Sequence, residues 1–118
     1  MEDQVRVAGG QALARVVRLP AEVEYSNAWQ IRQQLAAALA SGAATVAVDL
    51  TSTTFCDTAG VQEMLLAHWA AAAEGVDLRV VVPARLRLQF TWTGIDQVLA
   101  VYPSVSAALA PAVRAPGE

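Results

Sequence analysis

The chain contains no lysine; all eight of its basic residues are arginine. Every lysine-dependent mechanism is therefore excluded, from Schiff bases to the lysine of a phosphate-binding loop. A single cysteine, Cys56, leaves no partner for an internal disulfide. One cysteine and one histidine, His68, are too few to assemble a metal site, and no metal or cofactor is expected. There is no long hydrophobic run. The most apolar stretch, Leu35 to Val48, is broken by Ser41, Gly42 and Thr45. A membrane span needs roughly 18 apolar residues, so no membrane segment is expected. Positive charge is scarce too. The net charge is −3 with no basic stripe, which argues against nucleic acid or an anionic membrane as a partner. Without a signal peptide at the start, the expected compartment is the cytoplasm.

What is present is apolar and rich in alanine. Hydrophobic residues make up 55 % of 118 positions, the size of a single domain spanning 1–118. Folding such a chain buries roughly two-thirds of its unfolded surface. Val5 to Ala8 and Leu13 to Leu19 flank Gly9-Gly10, a hairpin pattern closed by Pro20. Ser26 or Asn27 caps a helix running to about Ala40, with Ala28, Ile31, Leu35, Ala38 and Leu39 on its apolar face. Trp29 lies off that face and is expected to pack at the rim. Thr45 to Leu50 reads as a strand buried on both faces.

The next helix presents Val61, Met64, Leu65, His68 and Ala72 at helical spacing and ends at Gly75. Asp77 to Val82 is a strand stopped by Pro83. In "RLRLQFTWTG", Leu86, Leu88, Phe90 and Trp92 alternate strictly, so periodicity alone favours a strand. Read as a helix, the same stretch turns Leu86 and Phe90 inward and Leu88 and Trp92 outward. Val98 to Tyr102 is a last strand, Ser104 to Ala110 a last helix, and 111–118 a frayed tail. Helices alternating with apolar strands imply an α/β fold with helices packed on a mixed sheet. Functional sites in such folds gather where strand ends meet helix starts.

One such junction stands out. Residues 54–60 read "TFCDTAG", a small polar knot between the strand at Thr45–Leu50 and the helix from Val61. It is not a nucleophile elbow, which needs Gly-x-Ser-x-Gly and a histidine base. It has one glycine and no lysine, so it is not a phosphate-binding loop. Asp49 at a strand end suggests a phospho-aspartate receiver, but that chemistry also needs a lysine. The remaining reading is a hydroxyl, Thr58, presented at a helix N-terminus. Free amides and the helix dipole favour negative charge there by about 0.3–1 kcal/mol. The plainer alternative makes Asp57 or Thr58 only an N-cap. Cys56, next to the knot, reads as a small buried filler.

"VAVDLTSTTFCDTAGVQEML" resembles the signature of the STAS domain, named for sulfate transporters and anti-sigma factor antagonists. Asp49-Leu50-Thr51 matches the strand end, Phe55 the aromatic, and Asp57-Thr58-Ala59-Gly60 the family's Asp-Ser-Ser/Thr-Gly turn. Upstream, Ala21-Glu22-Val23-Glu24 followed by Ala28 is similar to the family's Gly-Glu-Leu-Asp turn. "TWTGIDQVLAVYPSVSAAL" is similar to its C-terminal third. The resemblance implies a mixed sheet of about five strands with four helices, ordered β-β-α-β-α-β-α-β-α, and a helix over about Arg85 to Trp92.

For function, the resemblance implies a non-enzyme. As an anti-sigma factor antagonist, the unphosphorylated form binds an anti-sigma factor and releases a sigma factor. The anti-sigma factor, itself a serine/threonine kinase, phosphorylates Thr58, and a phosphatase reverses this. The partner surface is expected to comprise Asp57, Ala59 and Gly60 with the outward side of the next helix, Gln62, Glu63 and Leu66. The upstream turn, Glu22 and Glu24, forms a second edge. An exposed Leu88–Trp92 pair would suit a partner or a homodimer; the plainer reading folds Trp92 over the sheet edge as core. The alternative function is a constitutive STAS interaction subunit of a lipid-transport ATPase complex or a stress-signalling scaffold. Four positions depart from the family pattern, the first being Thr58 in place of the commoner Ser. Ala59 replaces a second hydroxyl, leaving Thr58 as the turn's one candidate acceptor, and Ala21 and Glu24 replace Gly and Asp upstream.

Overall fold

The computed structural model describes residues 2–6 and 13–110. The Gly9-Gly10 turn, the end of the first predicted strand and the tail 111–118 lie outside the described residues.

Strand β1 (Glu2–Arg6) pairs antiparallel with β2 (Leu13–Arg18), as the hairpin pattern predicts. The chain then makes a two-residue strand, β3 (Glu22–Val23), and helix α1 (Ala28–Leu39). Strand β4 (Thr45–Asp49) follows, then a second two-residue strand, β5 (Phe55–Cys56), and helix α2 (Thr58–Glu74). Strand β6 (Asp77–Val81), helix α3 (Ala84–Trp92), strand β7 (Ala100–Tyr102) and helix α4 (Val105–Leu109) complete the order. The main sheet runs β1-β2-β4-β6-β7, with β2, β4, β6 and β7 parallel. This is the expected mixed five-stranded sheet with four helices.

Strands are added in chain order and in one direction. Right-handed crossovers then put α1, α2 and α3 on the same face, and the core agrees. Val17, Val46, Val48 and Val80 face Ile31 and Leu35 of α1, Met64 and Ala67 of α2, and Leu86 and Phe90 of α3 in one cluster. On the reverse face Val16, Ala47 and Val81 pack against Ala108 of α4. Alternate residues of β4 thus enter different clusters, and all five are buried. Arg79 fastens α4: Nη1 donates to the Ala108 and Ala110 carbonyls at 2.6 and 3.3 Å, and the guanidinium lies over the Tyr102 ring.

Two details correct the helical patterns. The buried stripe of α2 is Gly60, Val61, Met64, Ala67 and Ala71, while Leu65 and His68 are half-buried and Ala72 is exposed. Alanines make several faces of α2 look apolar, so the pattern slips by one residue. In α3, the helix that the family pattern implied, Leu86 and Phe90 are buried while Leu88 and Trp92 are 55 % and 79 % exposed. Trp92 is therefore not core.

Candidate functional site

The site is the corner where the miniature parallel sheet of β3 and β5 meets the start of α2. Glu22 pairs with Phe55 and Val23 with Cys56. Neither strand is long enough to show a period, so this pairing leaves no mark in the residue pattern. The pairing is what joins the upstream turn to the 54–60 knot.

Asp57 is the pin. It caps α2: Oδ1 accepts from the Gly60 amide at 2.9 Å, satisfying one of the first-turn donors that α2 itself leaves unpaired. Oδ2 accepts from the Tyr25 amide at 3.1 Å, across to the other turn. The Asp57 amide donates to the Val23 carbonyl at 3.0 Å. Gly60 is required by close approach rather than by its dihedral angles. A Cβ there would stand 2.5 Å from Val23 Cγ1 and 2.8 Å from the Val23 carbonyl oxygen. Only glycine lets β3 lie directly on the first turn of α2.

The upstream turn is organised by Asn27 rather than by a simple cap of α1. Its Oδ1 accepts from the Glu24 amide at 2.9 Å and its Nδ2 donates to the Glu22 carbonyl at 2.7 Å. Ser26 Oγ donates to Glu24 Oε2. Glu22 is exposed and Glu24 half-exposed on the edge beside Asp57. The structure therefore brings the two predicted edges together.

Thr58 occupies the first position of α2. It is exposed, and its hydroxyl makes no hydrogen bond among the described residues. Ala59 is half-buried, Gln62 is exposed, and Leu66 is 39 % exposed. Glu63 departs from expectation. It is buried, at 5 % exposure, not on the outward side. Arg32 of α1 explains why: its Nε and Nη2 donate to the two Glu63 carboxylate oxygens at 2.8 and 2.9 Å. A buried carboxylate needs such a partner. The pairing in turn raises the pKa of Arg32, through the hydrogen bond first and the Glu63 charge second. The Arg32 guanidinium also lies over the ring of Trp29, 5.7 Å from its centre. Trp29, at 63 % exposure, and Tyr25, at 84 %, flank the corner as open aromatic surface.

Helix α3 supplies a support that sequence reasoning missed. Arg85 donates from Nε to the Thr53 carbonyl at 2.9 Å and from Nη2 to the Thr51 carbonyl at 2.6 Å. Gln89, one turn on, donates to the Cys56 carbonyl at 2.7 Å. Thr53 Oγ1 donates to the Pro20 carbonyl, and Asp49 Oδ1 accepts from the Thr51 amide as the chain leaves β4. The i, i+4 spacing of Arg85 and Gln89 was visible in the sequence, but their acceptors are backbone groups, which carry no signature. Cys56 is buried, and burial pushes its thiol up to about 11, with the Asp57 charge adding to the shift.

The corner presents an exposed hydroxyl beside open aromatic surface. Among the described residues no group of His, Cys, Asp or Glu side chains could hold a metal ion, and no helix is long and apolar enough to cross a membrane.

Comparison with known proteins bears on the family and the fold. No curated protein matches the chain by sequence. An anti-sigma factor antagonist from Mycobacterium paratuberculosis is similar in structure, with a TM-score of 0.74 at 20 % identity over 92 % of both chains. The phosphorylated form of SpoIIAA, a Bacillus cell fate determinant, gives 0.60 at 21 % identity over 80 % of this chain and 86 % of that one. The murine anion transporter Slc26a9 gives 0.68 at 18 % identity, over 89 % of this chain but only 21 % of that one. These likenesses establish a shared fold. A family model described as "Mlab, STAS domain" matches residues 8–102, and the chain belongs to the STAS domain family.

Proposed function

We propose that this chain, read as one STAS domain over 1–118, is a cytoplasmic anti-sigma factor antagonist switched by phosphorylation of Thr58. The observation that carries the reading is the exposed, unbonded Thr58 hydroxyl at the start of a helix whose cap is already supplied by Asp57. Thr58 is not needed to close the turn, so it is free for another protein's active site. In its unmodified form the corner of Asp57, Ala59, Gly60, Gln62 and Leu66, with Glu22 and Glu24 beside it, docks on an anti-sigma factor and frees a sigma factor. That partner, a serine/threonine kinase, transfers phosphate to Thr58, and a phosphatase removes it. The chain is a substrate and a ligand, not an enzyme.

The geometry makes the phosphate effective. It adds about two negative charges next to Asp57 and the exposed Glu22. The charge of Arg32, on the neighbouring helix, is already balanced by Glu63, although N–H groups remain unused on it. Covering so poorly compensated a charge on docking costs several kcal/mol, and each 1.4 kcal/mol is about tenfold in affinity. No large change of shape is needed.

Intact-mass measurement tests this after incubation with ATP and candidate anti-sigma kinases. Wild type should gain one phosphate and Thr58→Ala none, and Thr58→Glu should bind the partner at least about tenfold more weakly. A complex that forms while Thr58 stays unmodified would sink the switch. It would favour the second reading, a constitutive interaction subunit of a lipid-transport ATPase complex or a stress-signalling scaffold. The likeness to part of a longer transporter chain keeps that reading in play.

A further inference from the structure

Helix α2 carries two charged side chains, Glu63 and Glu74, over seventeen residues. Glu63 is buried. The outward stripe is Thr58, Gln62, Leu66, Trp69, Ala70 and Ala73, all exposed, with Trp69 at 56 %. A helix apolar all round belongs in an interior, yet one side of this one faces solvent. Beside it, between α1 and α2, runs a groove of about 530 Å³ walled by Leu35, Ala36, Leu39, Leu66, Ala70 and Ala73.

The groove ends in opposite charges. Arg32 stands at the end near the starts of both helices, and Glu74 at the other. The guanidinium has five N–H groups, and Glu63 takes only two of them, so donors remain for a second carboxylate. Glu63 and Glu74 lie about 16 Å apart along α2, and Trp69 and Ala70 fall midway. Rotating a second copy by a two-fold axis through that midpoint sets Arg32 of each copy against the partner's Glu74. Both charge pairs form at once, the two α2 dipoles run antiparallel, and the alanines let the helices approach closely.

We propose that the chain forms a two-fold symmetric dimer through the α1–α2 groove, with Leu66, Trp69 and Ala70 at its centre and an Arg32–Glu74 pair at each end. A large aromatic at the middle of such a patch is where binding energy concentrates. The dimer covers Leu66 and the edge at Gln62, so it competes with any partner docked beside Thr58. It stands apart from the phosphate switch. A chain that takes phosphate but stays monomeric removes the dimer alone, and a dimer whose Thr58 is never modified removes the switch alone.

Sedimentation equilibrium on the full chain is the test. The expected result is a reversible dimer. Ala70→Glu, which buries a carboxylate at the axis, should weaken it by about a hundredfold, and Glu74→Arg by about tenfold. Both positions are exposed in the monomer, so circular dichroism should be unchanged. Ala70→Cys should form a disulfide-linked dimer under mild oxidation, whereas Ala37→Cys, exposed on α1 away from the groove, should not. A monomer at every concentration overturns the proposal. So does a dimer indifferent to both charge variants, or one in which Ala37→Cys cross-links as fast as Ala70→Cys.

Discussion

Strands β4 and β5 are separated by one short loop, yet they are held by opposite means. All five residues of β4 are buried, and its alternate side chains enter two different apolar clusters. Strand β5 has two residues, one of them exposed, and the segment around it is fixed by polar bonds: Arg85 donates to the Thr53 carbonyl, Gln89 to the Cys56 carbonyl, the Tyr25 amide to Asp57, and the Phe55 and Asp57 amides to the Ala21 and Val23 carbonyls. Burial is non-directional and resists unfolding of the whole domain. Hydrogen bonds from separate elements fix a loop's shape and add little to global stability. The scaffold thus supplies the stability, and the corner supplies position.

Substitutions should separate the two. Phe90→Ala, in the apolar cluster, should cost about 3–5 kcal/mol in a urea melt, since Phe90 is 1 % exposed. Gly60→Ala should cost about 1–3 kcal/mol, because the new methyl meets the Val23 backbone. Its signature is faster amide exchange over residues 22–27 and 54–60 with β4 unaffected. Asp57→Ala should cost about 1 kcal/mol through the lost cap, and Asp57→Asn, which keeps an acceptor, should recover part of it. Arg85→Ala should lower global stability by less than about 1 kcal/mol. Even so, it should speed exchange at the Thr54 and Asp57 amides, and a melt that falls while those amides stay protected would erase the contrast.

Cys56 gives the finest probe. Its folded pKa of about 11 lies above the usual 9.0, so the unfolded chain loses the thiol proton first. Stability tied to this group is intact below pH 9 and falls as pH rises from 9 toward 11. Cys56→Ala should flatten that part of the stability–pH curve.

The same division decided what the sequence disclosed. Strand β4 was legible because burial on both faces leaves an apolar run at Val46 to Val48, and β6 because Val80 to Val82 run straight into Pro83. Helix α3 was not legible from periodicity. Four apolar residues at alternate positions mimic a strand, and only the family pattern implied the helix that buries Leu86 and Phe90. Asp57 and Gly60 were legible as a cap and a glycine. Arg32 beneath Glu63 and the arms of Arg85 and Gln89 were not, because long-range polar contacts leave no spacing in the chain. The expected Glu63 surface failed for that reason.

Because Arg85 and Gln89 brace carbonyls at 51, 53 and 56, the corner around Thr58 is completed from downstream. A nascent chain emerging from the ribosome has completed β4 and α2 at Glu74 before Arg85, eleven positions on, arrives. An anti-sigma kinase that recognises the finished corner would therefore ignore half-made chains. Under the proposed switch, modification would be confined to molecules that have already passed the test of folding.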